Sequence, residues 1–320
     1  MIKRSVLNGS FVTTNLQYTS AEYESLKEMN VRAKQLEAWQ RDKTFAQIAL
    51  SSFHESVEDV SVNLSELRHE EDEATLSGIV KRIRSVQAHP GVLTGDVYDQ
   101  NISADTRVEA NEVLDEKMEP FVIKPHSISN LWVEFDIPAS AMSGCYSGKL
   151  SVSATNLAEP LVFTINLQVI NLALSTEDQA VFGVEFWQNP YAVAEYYEVE
   201  AFSPEHLDIL EGHLELYRSI GGNTVVATIT EEAWNGQTFS KHDIKFPSMV
   251  KWLQRSNGTF EYDYTQFNQW ISFTRSLGLG DKIVCYSILP WNQRIIYYDA
   301  ITGTREEVAF EVGDERYYSI

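Results

Sequence analysis

Apolar Leu131, Val133, Phe135 and Ile137 alternate with Trp132, Glu134 and Asp136, and the same rhythm returns where Leu161, Phe163, Ile165, Leu167 and Val169 alternate with Thr164, Asn166 and Gln168. A period of two sends successive side chains to opposite faces of an extended chain. Such segments therefore fold as strands with one face buried and the other wet. Between them Pro138–Gly144 turns the chain, and Tyr146–Ser153 reads as another strand. Several such strands with few helix signals, up to about Leu174, predict an antiparallel β-sandwich. Only the stretch Glu22–Gln40 reads as helical there, on irregular apolar spacing.

After Leu174–Asp178 the pattern changes. A buried-type strand, Val181–Phe186, precedes Ser203-Pro204, a capping residue followed by a first-turn proline that together start a helix. Leu207, Leu210, Leu214 and Tyr217 share one face of that helix, and Gly221-Gly222 ends it. A second strand, Thr224–Thr230, is followed by a small hairpin around Ser256-Asn257-Gly258. A second helix begins after its cap Asp263, with Phe267, Trp270, Ile271 and Leu277 inward and Gly278 as the stop. A third strand covers Ile283–Leu289. Strand and helix in alternation build a parallel sheet with right-handed crossovers. The predicted fold class is thus multidomain β plus α/β: an antiparallel β-sandwich over residues 1–175, then an incomplete (β/α) TIM-type barrel of about three βα units over residues 176–320. Three strands cannot close an eight-stranded barrel, and they leave an apolar edge. The chain is therefore expected to be the front part of a longer protein, or else a remnant whose open edge meets a partner subunit.

Charge and motif content narrow the chemistry. Twenty-five basic against 46 acidic residues give a net charge of −21, which excludes nucleic acid as a partner. No apolar run reaches the length of a membrane span, and the basic N-terminus lacks a signal-peptide core, so no membrane partner and a cytoplasmic location are expected. Cys145 and Cys285 are then expected to be free, buried thiols. The seven histidines form no His-x-x-x-His pair and the cysteines no Cys-x-x-Cys, so no metal is expected. Without a phosphate-cradling glycine loop or a Gly-x-Ser-x-Gly turn, no cofactor is expected either.

What remains lies at the three strand ends, each of which opens into aromatic and amide side chains. Trp187-Gln188-Asn189-Pro190-Tyr191 follows the first, Glu231–Thr238 the second and Pro290-Trp291-Asn292 the third. In parallel α/β folds this is the working face. Rings suit the C–H faces of a sugar, and amides suit its hydroxyls. Trp187, Trp234 and Trp291 are the candidate platforms; Gln188, Asn235, Gln237 and Asn292 are the polar partners; Tyr191, Glu232 and Tyr286 complete the substrate-binding set. Trp252 and Trp270 sit at core positions. Glu231 and Glu232 stand where a glycosidase places an acid, yet acidic residues are common at any turn or helix start. Glu185, inside a strand, is read as structural.

These clusters resemble glycoside hydrolase family 123, the β-N-acetylgalactosaminidase-like enzymes. The residues carrying the likeness are Phe186–Tyr197, Phe202–Leu207, Thr228–Thr238, Pro247–Trp252, Asp263-Tyr264 and Cys285–Trp291. In the front half they are Ala38–Gln47, Leu131–Pro138 and Tyr146–Val152. The resemblance implies a retaining, substrate-assisted hydrolysis of terminal β-linked N-acetylgalactosamine. In it the 2-acetamido oxygen attacks the anomeric carbon, an Asp steadies the oxazolinium, and the adjacent Glu protonates the leaving oxygen. That Asp-Glu pair belongs to the family's fourth barrel strand, and no residue here matches it, so no catalytic residue is assigned. Glu195 departs from the family pattern, where a basic residue is expected. It then either alters a salt bridge of the helix after the first strand or changes which sugar fits. The competing readings are a non-catalytic carbohydrate-binding or assembly protein with a capped partial barrel, and an independent glycosidase using Glu232.

Overall fold

The computed structural model describes residues 6–88, 108–115, 118–175, 183–234, 236–238, 240–286, 288–311 and 313–315. The chain divides into two compact units, Met1–Leu174 and Ser175–Ile320.

The first unit contains β1 (Leu7–Val12), α1 (Tyr23–Leu26), β2 (Ala33–Gln40), β3 (Lys43–Ser52), β4 (Val57–Leu64), β5 (Leu67–His69) and β6 (Thr75–Leu76). It continues with β7 (Gly78–Ala88), β8 (Val108–Asp115), β9 (Phe121–Ile123), β10 (Ile128–Asp136), β11 (Gly144–Ser153) and β12 (Leu161–Ala173). One sheet runs β1-β3-β10-β7-β8; the other runs β2-β12-β11-β4-β9, with β5 and β6 added beside β11. Leu131, Val133 and Phe135 from the first sheet meet Phe163, Ile165, Leu167 and Val169 from the second in one core, and none of them is accessible to solvent. Each such side chain contributes about 1.5–3 kcal/mol on burial, so this alternation is the main source of the unit's stability.

The helix expected over Glu22–Gln40 is instead the single turn α1 followed by β2. Leu36 and Ala38 of β2 are buried while Gln35 and Glu37 are exposed, a period of two hidden among charged residues. β2 pairs parallel to β12, Leu36 opposite Leu167, so the unit is not antiparallel throughout.

The second unit contains α2 (Pro190–Tyr197), α3 (Pro204–Ser219), β13 (Thr224–Thr228), β14 (Lys251–Gln254), β15 (Phe260–Asp263), α4 (Thr265–Ser276), β16 (Lys282–Tyr286), β17 (Arg294–Asp299) and β18 (Arg305–Ala309). Ser203 caps α3 by accepting the His206 N–H at 3.2 Å, and Asp263 accepts the Thr265 N–H at 2.9 Å ahead of α4. β13 and β16 pair in parallel, from Thr224 opposite Lys282 to Thr228 opposite Tyr286. Val225 and Ala227 pack against Leu210, Leu214, Tyr217, Trp270 and Ile271 of α3 and α4, while Val226 faces the other way, toward Trp234. Trp270 is fully buried and donates its indole N–H to Val226 O at 3.0 Å; Trp252 donates to Ile229 O at 2.8 Å.

Three features differ from expectation. Of the first strand, Val181 and Phe182 lie outside the described residues, and the remainder makes a single parallel bridge, Val184 to Gly222. The hairpin β14–β15 is half of a four-stranded sheet, β15-β14-β17-β18, in which β14 and β17 run parallel around Trp252, Ile295 and Phe310. Neither cysteine is buried: Cys145 is half-buried in β11, with its thiol on Gln168 Oε1 at 2.9 Å, and Cys285 is exposed. Among the described residues no helix is long and apolar enough to cross a membrane.

Candidate functional site

The first strand stops early because side chains take over its pairing. Gln188 accepts the Val226 N–H on Oε1 at 2.7 Å and donates Nε2 to Thr224 O at 3.2 Å, doing for β13 what a neighbouring peptide would do. Just before it, the Tyr217 hydroxyl donates within reach of Val184 O (2.6 Å) and Thr224 O (2.9 Å), and accepts the Thr224 N–H at 3.3 Å. Burial holds that phenol above its ordinary pKa despite these bonds, so it remains a donor. Gly222 makes the arrangement possible, since a Cβ there would lie 2.3 Å from the Tyr217 ring. Gln188, expected to meet a sugar, thus has its amide committed to the backbone at both ends.

This frame sets Trp187 beside the ends of β13 and β16. Its ring stacks with Trp234 (centroids 6.0 Å, planes 14° apart) and leans on Tyr286 (4.9 Å, 42°). Tyr286 lies 5.4 Å from Trp234 with planes 29° apart, and its hydroxyl accepts the Trp291 indole N–H at 3.0 Å. The four rings form one wall. Trp234 is its foundation at 5% exposure, whereas Trp187 (53%) and Trp291 (52%) present half their surface to solvent. The Trp234 N–H is buried without an acceptor among the described residues. The cavity beside it, lined by Asn189, Thr228, Thr230 and Thr238, is about 10 Å3 and holds no more than one water-sized group. A ligand on this wall therefore lies against Trp187 and Trp291 rather than beneath them.

Carboxylates in the loop after β13 are engaged by protein groups. Glu232, at φ 50°, accepts N–H groups from Gly236 at 3.1 Å and from Phe246, so both its oxygens are bonded to backbone. Glu231 binds the Arg305 guanidinium through Nη2 (2.9 Å) and Nε (3.2 Å) and accepts the Tyr298 hydroxyl at 3.3 Å. Glu195, on α2, binds the loop after β13. It accepts the Ser240 hydroxyl (2.8 Å) and the N–H groups of His242 (2.6 Å) and Lys241 (3.0 Å). Burial works against its charge, but these bonds prevail and hold the carboxyl below the usual glutamate range. Glu198 pairs with Lys241 beside it.

The remaining candidates are dispersed. Gln237 is exposed on the loop, Asn292 accepts the Arg294 N–H at 3.0 Å in a turn, and Asn235 lies outside the described residues. Tyr191, on α2, reaches Ser248 O at 3.4 Å and lines a different cavity, of about 400 Å3, with Glu231, Lys251, Trp252, Asp263 and Tyr298. Burial pushes its phenol up to about 12. Sequence reasoning missed Tyr217 and Glu195 as organisers of the site. The one signal for Glu195 was its departure from the family pattern. Among the described residues no group of three or more His, Cys, Asp or Glu is placed to hold a metal.

The family model of the glycoside hydrolase 123 catalytic domain matches residues 187–320, and that of the glycoside hydrolase 123 N-terminal domain matches residues 11–154. A family 123 glycoside hydrolase from Clostridium perfringens, solved to detail glycolipid glycan hydrolysis, is 29% identical and superposes with a TM-score of 0.87 over 98% of this chain and 53% of its own. The chain thus spans about half the length of that relative. The CooA pilin subunit from enterotoxigenic Escherichia coli (9% identity, 51% of this chain and 97% of that one) has a TM-score of only 0.26. The sporulation control protein Spo0M from Bacillus subtilis (8% identity, 52% of this chain and 50% of that one) reaches 0.23, and likenesses of this size carry no weight. Comparison with the curated proteins finds no match. Both halves of the sequence match domains of one family, and the fold follows one of its enzymes almost from end to end: the chain belongs to glycoside hydrolase family 123.

Proposed function

We propose that these residues are the sandwich and the first barrel strands of a glycosidase acting on terminal β-linked N-acetylgalactosamine by the substrate-assisted, retaining route. On this reading the second unit is the opening part of a (β/α) barrel, with the segment at Val184, β13 and β16 as its strands, and β14, β15, β17 and β18 as additions to its loops. The observation that carries it is the ring wall of Trp187, Trp234, Tyr286 and Trp291 at one end of the parallel pair. Half-exposed indoles on a rigid base offer a pyranose its apolar face, and their rigidity limits the entropy lost on binding. The glycolipid glycans of the Clostridium perfringens relative supply the substrate class.

The wall holds the sugar, and the acid chemistry comes from outside the described carboxylates, since Glu231 and Glu232 are both engaged by protein groups. Residues 1–320 alone are accordingly expected to bind N-acetylgalactosamine weakly and to release no aglycone from an aryl β-N-acetylgalactosaminide. Trp187→Ala and Trp291→Ala should each weaken binding about tenfold or more, the equivalent of about 1.4 kcal/mol. They should leave the fold intact, because both rings are half exposed. Binding unchanged in both variants would remove the wall from the site. Turnover abolished by Glu232→Gln would transfer the chemistry to that residue.

A further inference from the structure

The sandwich has an open sheet face that its own core does not use. Ala46, Ile48 and Leu50 of β3 and Leu131, Val133 and Phe135 of β10 point into the core, which leaves Phe45, Gln47, Trp132 and Glu134 on the opposite side. The segment bearing Tyr18, Leu26 and Met29 covers one end of that side, over Val12 and Ala49. Beyond it, Trp132 stands between Gln47 and Lys81, and Glu134 between Phe45 and Ile79. The Phe45 and Trp132 rings lie 5.2 Å apart and tilted by 34°, forming a two-ring platform.

Beside this platform is a cavity of about 230 Å3, bounded by Asn15, Leu16, Gln47, Ile83, Leu114 and Trp132. That is below the range of about 300–1,000 Å3 usual for drug-sized ligands, and suits one small ring. Gln47, only 3% exposed, and Trp132 both line the cavity, so an amide and an indole N–H are among the polar groups at hand for a ligand. Sealing a side-chain amide from water without a partner costs about 1–3 kcal/mol, so an occupant that can hydrogen-bond is favoured here. An apolar protein segment laid across the rings would impose that cost. The flanking charges cancel: Lys81 and Lys43 lie 3.5 and 3.7 Å from Glu134, and Lys43 lies 3.6 Å from Asp136, so nothing selects an anion.

We propose that this cavity is a non-catalytic glycan-binding site for one neutral hexose unit, stacked on Trp132 with its hydroxyls on the Gln47 amide. A pyranose matches both halves of the lining, a C–H face for the ring and hydroxyls that both donate and accept for the amide. The site is built wholly within the first unit, so it stands or falls independently of the aromatic wall.

The test uses the 320-residue chain titrated with galactose, N-acetylgalactosamine and a β-linked disaccharide of the two, followed by calorimetry and by protein-observed NMR. Trp132→Ala and Gln47→Leu are each expected to weaken one class of binding tenfold or more, with that class unaffected by Trp187→Ala. Gln47→Leu preserves the buried volume and removes only the amide, so its melting temperature should equal or exceed that of the parent. Should either variant misfold, Trp132→Phe keeps a ring while deleting the N–H, and sugar-induced shifts at the Gln47 amide of the unaltered protein report contact directly. Equal affinities in all variants, or a Trp132 indole inaccessible to iodide in the free protein, would overturn the proposal, the latter by showing protein already seated there.

Discussion

At the scale of a single side chain, Glu195 acts as a fastening for the loop after β13. Its carboxylate receives two backbone N–H groups and a hydroxyl from residues 240–242. Glu195→Gln replaces one accepting oxygen by a donor facing those N–H groups. Tryptic cleavage after Lys241 should therefore quicken several-fold, with little change at sites in the first unit. The pH dependence has a definite sign. A carboxyl whose folded pKa is depressed stabilises the fold above the ordinary glutamate range, and that stabilisation fades as pH falls through the folded value. Amide shifts of Lys241 and His242 should thus inflect below pH 4.5, the ordinary value. Tyr191 behaves in the opposite sense. Its pKa is raised to about 12 from 10.0, so its contribution is complete below pH 10.0 and is lost as pH climbs toward 12. Absorbance at alkaline pH should show one phenol ionising last, and Tyr191→Phe should delete that step.

At the scale of elements, Tyr217 and Gly222 form a lock between the first strand segment and β13. Tyr217→Phe removes the hydroxyl's bonds to the Val184 carbonyl and to the Thr224 carbonyl and N–H, and should cost about 1–3 kcal/mol, read as a lower denaturant midpoint at constant slope. Gly222→Ala forces a methyl group against the ring and should cost a similar amount through overpacking. Legibility in the sequence followed how local the cause was. The helix Pro204–Ser219 was readable because Ser203-Pro204 and Gly221 mark its ends within the chain itself. The alternation in Leu131–Ile137 gave β10 for the same reason. β2 was misread because Lys34 and Glu37 obscure a period of two that only its pairing with β12 makes decisive. β17 and β18 went unread, since their sheet depends on a parallel contact with β14 about forty residues earlier. Within the site, the tryptophans were legible as residues past strand ends. The fate of Gln188 was not, because whether an amide meets a sugar or a peptide depends on what the third dimension leaves beside it.

For the whole molecule, all the buried residues of the sandwich core belong to the first unit, so residues 1–174 expressed alone should unfold in one cooperative transition. With a net charge of −21 the chain repels its own copies at neutral pH, and its solubility should pass through a minimum near the pI of 4.7. The ring wall has an optical consequence as well. Trp187, Trp234 and Tyr286 lie within a few ångströms of one another, so light absorbed by the phenol passes readily to the indoles. The half-exposed Trp187 emits into water, while Trp234 emits from an apolar setting. The wall therefore carries its own dye: a sugar settling on Trp187 and Trp291 displaces water from these exposed emitters but not from Trp234, and the blue edge of the spectrum should brighten before any label is attached.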